Sequence, residues 1–177
     1  IKDIELSQLR NSIGYVPQDA FLFSDTIANN IKFGLSELGS ESDERMVQAA
    51  KDAHIYNNIV EFEKGFETIV GERGITLSGG QKQRVSIARA IIKQPDILVF
   101  DDCLSAVDTE TEDIILRNLK RIMKGKTAVI ISHRISSLEH ADLILVLNEG
   151  KIIEQGDHEE LMSQKGYYAS LNEKQKI

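Results

Sequence analysis

Three short runs of branched apolar residues constrain this chain more than anything else in it: Ile97-Leu-Val-Phe100, Ala128-Val-Ile-Ile131 and Leu143-Ile-Leu-Val-Leu147. Each is continuously apolar instead of alternating, the pattern of strands covered on both faces of a parallel sheet. Between the first two, Thr109 to Met123 reads as a helix. Its apolar residues Ile115, Leu116, Leu119, Ile122 and Met123 recur every three or four positions, and Thr109 with Glu112 has capping-box spacing. Parallel strands cannot be joined by a tight turn, so strand, helix, strand is a βαβ unit and the second half of the chain is α/β. Asn148-Glu149-Gly150 marks a turn into a further strand at Lys151 to Glu154, and Asp157 caps a final helix. Asn172 to Lys176 reads as a polar, frayed tail.

From about Ser24 to Lys93 the pattern changes to mostly helical, with Met46, Ala49, Ala50 and Ala53 on one face and Gly65, Gly71 and Gly74 as breaks. Residues 24–93 are therefore expected to form a helical subdomain inserted into an α/β part made of residues 1–23 and 94–177. A chain of 177 residues is long enough to bury a real core. Its net charge of −7 argues against a general nucleic-acid-binding surface. The single cysteine, Cys103, excludes a disulfide framework and a cysteine-based zinc site, and fits a reducing compartment. The longest strongly apolar run falls far short of the roughly 20 residues of a spanning helix. The chain opens on Ile1 with no charged-then-apolar leader, which predicts a soluble piece of something longer, without a signal peptide.

Four segments carry chemistry. Leu77-Ser78-Gly79-Gly80-Gln81-Lys82-Gln83-Arg84 leads into a helical pattern at Val85, Ala88, Ile91 and Ile92. Small residues at a helix start leave backbone N–H groups and the positive dipole end free for an anion. A serine-capped, glycine-rich helix start explains Ser-Gly-Gly equally well. The run Ile97 to Phe100 ends in Asp101-Asp102, carboxylates at the strand edge where α/β sheets bind ligands and where Mg²⁺ can be held by oxygen. The next strand ends in Ser132-His133-Arg134; His54, His140 and His158 read as surface or structural residues. Near the start, Ile13-Gly-Tyr-Val-Pro-Gln18 is a strand ending in glutamine.

Taken in order, these segments resemble the ABC-type ATPases. Leu77 to Arg84 resembles the signature motif, Ile97 to Asp102 a Walker B strand with the residue after it, Ser105-Ala-Val-Asp108 the D-loop, and Ile13 to Gln18 the Q-loop. The resemblance implies a partial P-loop NTPase (RecA-like) parallel sheet with an inserted α-helical subdomain that carries the signature. It implies ATP and Mg²⁺ as cofactors. Asp101 and Gln18 would hold the metal, Asp102 would be general base, Gln18 would orient the attacking water, and His133 would contact the γ-phosphate. Ser78, Gly79, Gly80, Gln81 and Asp108 would bind nucleotide across an interface with a second nucleotide-binding domain.

Gly71-Glu72-Arg73-Gly74, Ser132-His133-Arg134 and the hairpin Asn148 to Gly156 together resemble the exporter type. Transmembrane domains would then be reached through the Q-loop and the Gly71–Gly74 region, at the cytoplasmic face of the membrane. Two departures stand out. No G-x-x-x-x-G-K-[ST] occurs: Gly125-Lys126-Thr127 imitates its end, but position 120 is Lys120. The chain is thus expected to be the C-terminal portion of such a domain, inactive without the phosphate cradle. Second, Asp102 stands where the family has Glu. Its carboxyl is one methylene shorter, with an ordinary pKa of about 3.9 against about 4.3, and a misplacement of about 1 Å can cost roughly 10²-fold. This resembles the weakened site of heterodimeric exporters. The alternatives are a nucleotide-clamping, non-hydrolytic half of a heterodimer, or an ABC ATPase acting on nucleic acid or the ribosome, which would call for basic patches or a coiled-coil insertion absent from this sequence.

Overall fold

The computed structural model describes residues 4–35, 39, 41–71 and 74–175. The chain divides into two compact units, Ile1–Ile131 and Ser132–Ile177. In the first unit, helix α1 (Leu6–Ser12) runs into strand β1 (Ile13–Val16). Four helices follow: α2 (Ile27–Lys32), α3 (Ser42–Asp52), α4 (Tyr56–Glu61) and α5 (Gly79–Ile91). Strand β2 (Ile97–Asp101), helix α6 (Thr109–Met123) and strand β3 (Thr127–Ile131) complete it as the expected βαβ unit.

The three strands form one parallel sheet in the order β1-β2-β3. In register, Ile13 faces Ile97 and Val16 faces Phe100, while Ile97 faces Thr127 and Asp101 faces Ile131. All three strands therefore end along one edge. Central strand β2 buries Leu98 and Phe100, which join Val16, Ile27, Ile31, Ile59, Ile87, Ile115 and Leu119 in one core. Met46, Ala49, Ala50 and Ala53 all lie in it, as their spacing predicts. Strand β3 differs from expectation: Val129 and Ile131 are exposed, so the sheet face they point to is left uncovered by the described residues. Helix α6 is capped by Asp108, whose Oδ1 accepts from the Thr111 N–H at 2.9 Å, one residue before the expected Thr109.

The second unit holds strands β4 (Ile144–Asn148) and β5 (Lys151–Gly156) and helices α7 (His158–Gln164) and α8 (Tyr167–Gln175). The apolar run from Leu143 to Leu147 is not a doubly covered parallel strand here. It pairs antiparallel with β5 and alternates, with Ile144 and Val146 buried and Leu143, Leu145 and Leu147 exposed. A two-stranded ribbon has one face to rest on a core, here Leu161 and Tyr168, and the other stays open. Asp157 caps α7 in a capping box with Glu160. From Asn172 to Gln175 the tail is held, not frayed: Asn172 is buried, and the Gln175 side chain accepts from the Ile135 N–H at 2.9 Å and donates to the His133 carbonyl at 2.7 Å, while Lys176 lies outside the described residues. Among the described residues no helix is long and apolar enough to cross a membrane.

Cys103 is buried just beyond β2, and burial pushes its thiol up to about 12. The thiolate is then scarce at neutral pH, and the thiolate is the reactive form. The folded protein is expected to resist a chromogenic disulfide reagent at pH 7 and to react on unfolding. Labelling of the native protein at the rate of a free thiol would contradict this burial.

Candidate functional site

The site is assembled by the sheet register. Parallel pairing of β1 with β2 sets the residues after Val16 beside those after Phe100. Gln18 Nε2 points at Asp102 Oδ2 from 3.5 Å, the outer limit of a hydrogen bond. The Tyr15 hydroxyl donates to Asp101 Oδ2 at 3.1 Å, and that bond to a carboxylate raises the phenol above its ordinary pKa. Asp102 itself has φ 44°, a left-handed conformation that Asp tolerates better than most residues with a side chain. Its backbone N–H donates to the Ile131 carbonyl at 2.8 Å, and its own carbonyl accepts from the Ser105 hydroxyl at 3.0 Å. The Asp101-Asp102 pair is thus fixed by backbone bonding to β3 and to the loop that follows.

Helix α5 begins beside this loop. Ser78 is its N-cap: Oγ accepts from the Gln81 N–H at 3.2 Å, and Gln81 Oε1 accepts from the Ser78 N–H at 3.0 Å. Gly79 and Gly80 form the first turn. A Cβ at Gly80 would stand 2.8 Å from the Ala106 carbonyl oxygen, so the absence of a side chain allows this loop and helix to touch. Arg84 donates to the His54 carbonyl at 2.6 Å and to the Gly80 carbonyl at 3.3 Å. Asp108, at the start of α6, is held below the ordinary carboxylate range chiefly by the Thr111 bonds, with Arg84 adding a smaller attraction.

Of the residues singled out from sequence, Gln18, Asp101 and Asp102 come together, and Ser78 to Gln81 join them through the loop that leads to Asp108. His133 is exposed and lies in the second unit. His158 is structural there, its Nδ1 lying 2.9 Å from the Tyr168 hydroxyl. Gly71 and Gly74 are described, whereas Glu72 and Arg73 lie outside the described residues. Among the described residues no three His, Cys, Asp or Glu side chains cluster as a metal cage. The Asp101 carboxylate and the Gln18 amide oxygen are donors of the kind Mg²⁺ takes, one or two protein oxygens with water and phosphate completing the shell.

Sequence reading assigned no role to Tyr15 or Gln83. Gln83 is 5% exposed and lies on the α5 stripe with Ile87, Ala90 and Ile91. The available signal was a polar residue at an apolar position of a helical repeat.

The ABC transporter family profile matches residues 1–105. The chain is 48% identical over 177 residues to a probable multidrug resistance ABC transporter ATP-binding/permease protein, YheI, of Bacillus subtilis, covering 100% of this chain and 30% of that protein. It is 43% identical over 171 residues to an ATP-dependent lipid A-core flippase of Alcanivorax borkumensis, covering 97% of this chain and 29% of that one. A solved bacterial Atm1-family ABC exporter with ATP bound superimposes with a TM-score of 0.92 at 42% identity, over 100% of this chain and 31% of its own. The chain therefore spans less than a third of the length of these relatives.

Proposed function

The chain belongs to the ABC transporter family, and from that premise we propose that it is the γ-phosphate side of an exporter's nucleotide-binding domain, coupling ATP binding and hydrolysis at a domain dimer interface to transmembrane export. The observation that carries this reading is the meeting of Gln18 with Asp102 beside Asp101, next to the start of α5. Residues 1–23 and 94–177 form the RecA-like part in this reading, and residues 24–93 the helical subdomain.

Bound Mg-ATP would supply the phosphoryl group and the metal charge that favours its transfer. The chain's own residues do the rest. Asp101 and Gln18 would hold the metal through their side-chain oxygens. Asp102 would accept a proton from the attacking water, which Gln18 would orient, and the role proposed for His133 is contact with the γ-phosphate. Ser78, Gly79, Gly80, Gln81 and Asp108 would bind nucleotide across the interface with a second nucleotide-binding domain. Transmembrane domains are engaged through the loop at Gln18 and the Gly71–Gly74 region, at the cytoplasmic face of the membrane.

Asp102 favours a second element of the reading: this chain's own site hydrolyses slowly, and its partner is a different chain whose competent site it completes. A carboxyl one methylene short leaves the water imperfectly placed.

The test compares the full-length protein, in a bilayer, with the 177-residue chain alone. The full-length protein is expected to hydrolyse Mg-ATP. The chain alone is expected to give no binding signal in calorimetry, because it offers no Lys-bearing phosphate loop. A full-length protein without Mg-ATP turnover would overturn the functional reading. Micromolar affinity of the isolated chain would overturn the assignment of the phosphate cradle to another segment.

A further inference from the structure

We infer that Gln83 is a positioning residue that ties the segment following β1, which carries Gln18, to the loop between Asp102 and Asp108. The inference rests on the functional reading above and deepens it. Gln83 is 5% exposed, and burying a primary amide is unfavourable unless both of its ends are bonded. Both are. Its Nε2 donates to the Gln18 carbonyl at 3.3 Å, and its Oε1 accepts from the Ala106 N–H at 3.3 Å. One side chain on α5 therefore bridges two segments that are far apart in sequence and that both bear on the Asp101-Asp102 pair.

Each contact next to the bridge is poised. Gln18 reaches Asp102 only at 3.5 Å, so a small displacement of the Gln18 backbone decides whether that contact exists. On the other side, Ala106 lies against Gly80 closely enough that a Cβ would stand 2.8 Å from its carbonyl oxygen. Movement of the loop is thereby passed to the start of α5, where Ser78 and Gln81 stand. Gln83 does not reach the reacting atoms; it sets where Gln18 and the α5 start sit relative to one another.

The two ends of the amide can be separated chemically. Gln83→Glu keeps an acceptor for the Ala106 N–H but turns a carboxylate oxygen toward the Gln18 carbonyl. Gln83→Leu loses both bonds and keeps the approximate volume. The experiment measures amide hydrogen exchange and Mg-ATP turnover in the full-length protein. In Gln83→Leu, exchange is expected to rise about tenfold in both segments, 17–20 and 104–108, with α5 and β2 unchanged. In Gln83→Glu the rise is expected at 17–20 alone. Both variants are expected to lower kcat severalfold while KM for Mg-ATP stays unchanged.

Exchange that rises throughout α5 and β2, an identical pattern in the two variants, or a KM that rises while kcat holds would overturn the inference and leave Gln83 as packing. If Gln83→Leu does not fold, the segment-selective pattern in Gln83→Glu decides the matter. The exchange pattern does not depend on hydrolysis. A full-length protein that shows the pattern without turning over Mg-ATP therefore overturns the functional reading while keeping the bridge.

Discussion

Replacing Ser78 by Ala in the full-length protein is expected to lower ATP turnover by about 10²–10³-fold, the loss that follows removal of one pre-placed donor at a developing phosphate charge. Replacing Asp102 by Ala is expected to reduce turnover only modestly. The contrast follows from the proposed division of labour, in which Ser78 completes the partner's competent site and Asp102 serves this chain's slow one.

Ser78 also has a structural duty, since Oγ accepts the Gln81 N–H and caps α5. Losing a cap costs about 1 kcal/mol, so a fall in rate could reflect a frayed helix. Ser78→Asp separates the two. Aspartate caps as well as serine, but it sets a carboxylate where a phosphate is to approach, so the helix should persist while turnover is lost. Circular dichroism and ATPase rate on the same preparations make the comparison. Asp102→Glu is expected to raise hydrolysis at this chain's site by restoring reach, despite the left-handed backbone there, at φ 44°. If Asp102→Ala abolishes turnover as completely as loss of the partner's base, Asp102 is a working base in a symmetric enzyme.

Gly34→Ala is expected to destabilise the first unit by more than about 3 kcal/mol, at or beyond the upper end of ordinary overpacking. Gly34 follows α2, and a Cβ there would stand 2.1 Å from the Arg89 carbonyl oxygen and 2.8 Å from Ile92 Cγ2. The obstructing atom is backbone in the last turn of α5, which cannot swing aside as a side chain would. Arg89 also fastens the two helices: its guanidinium donates to the Asn30 carbonyl at 2.7 Å, to Asn30 Oδ1 at 2.7 Å and to the Phe21 carbonyl at 2.8 Å. Backing α2 away to admit a methyl group would stretch both bonds to Asn30. Gly39→Ala is the control, since no described residue lies within 4 Å of a Cβ there. Denaturant midpoints of the two variants should separate clearly. Coinciding midpoints would mean that α2 and α5 do not pack this closely.

The features legible in the sequence are those a few neighbouring residues decide. Continuous apolar runs marked β2 and β3, a three-to-four-residue repeat marked α6 from Thr109 to Met123, and Ser78 before two glycines marked the start of α5. Each depends on local backbone preference and on which side chains must leave water. The positions of Asp101 and Gln18 at or just beyond strand ends were legible for the same reason, since both follow the apolar residues of a strand.

Tertiary structure alone decided the rest, because it concerns partners far away in the chain. Leu143 to Leu147 carries the same composition as a doubly covered strand, and only its antiparallel pairing with β5 determines that alternate residues face outward. Asp108 and Thr109 are both acceptable caps, and the position at which the backbone turns helical selected Asp108. Gln83 reads as one more polar residue in a motif until Gln18 and Ala106 are brought to either end of its amide. Only the folded chain brings the Arg89 carbonyl into the space that a side chain at Gly34 would need. Local pattern determined which elements form; long-range packing, through hydrogen bonds and excluded volume that no short window contains, determined which of their residues meet.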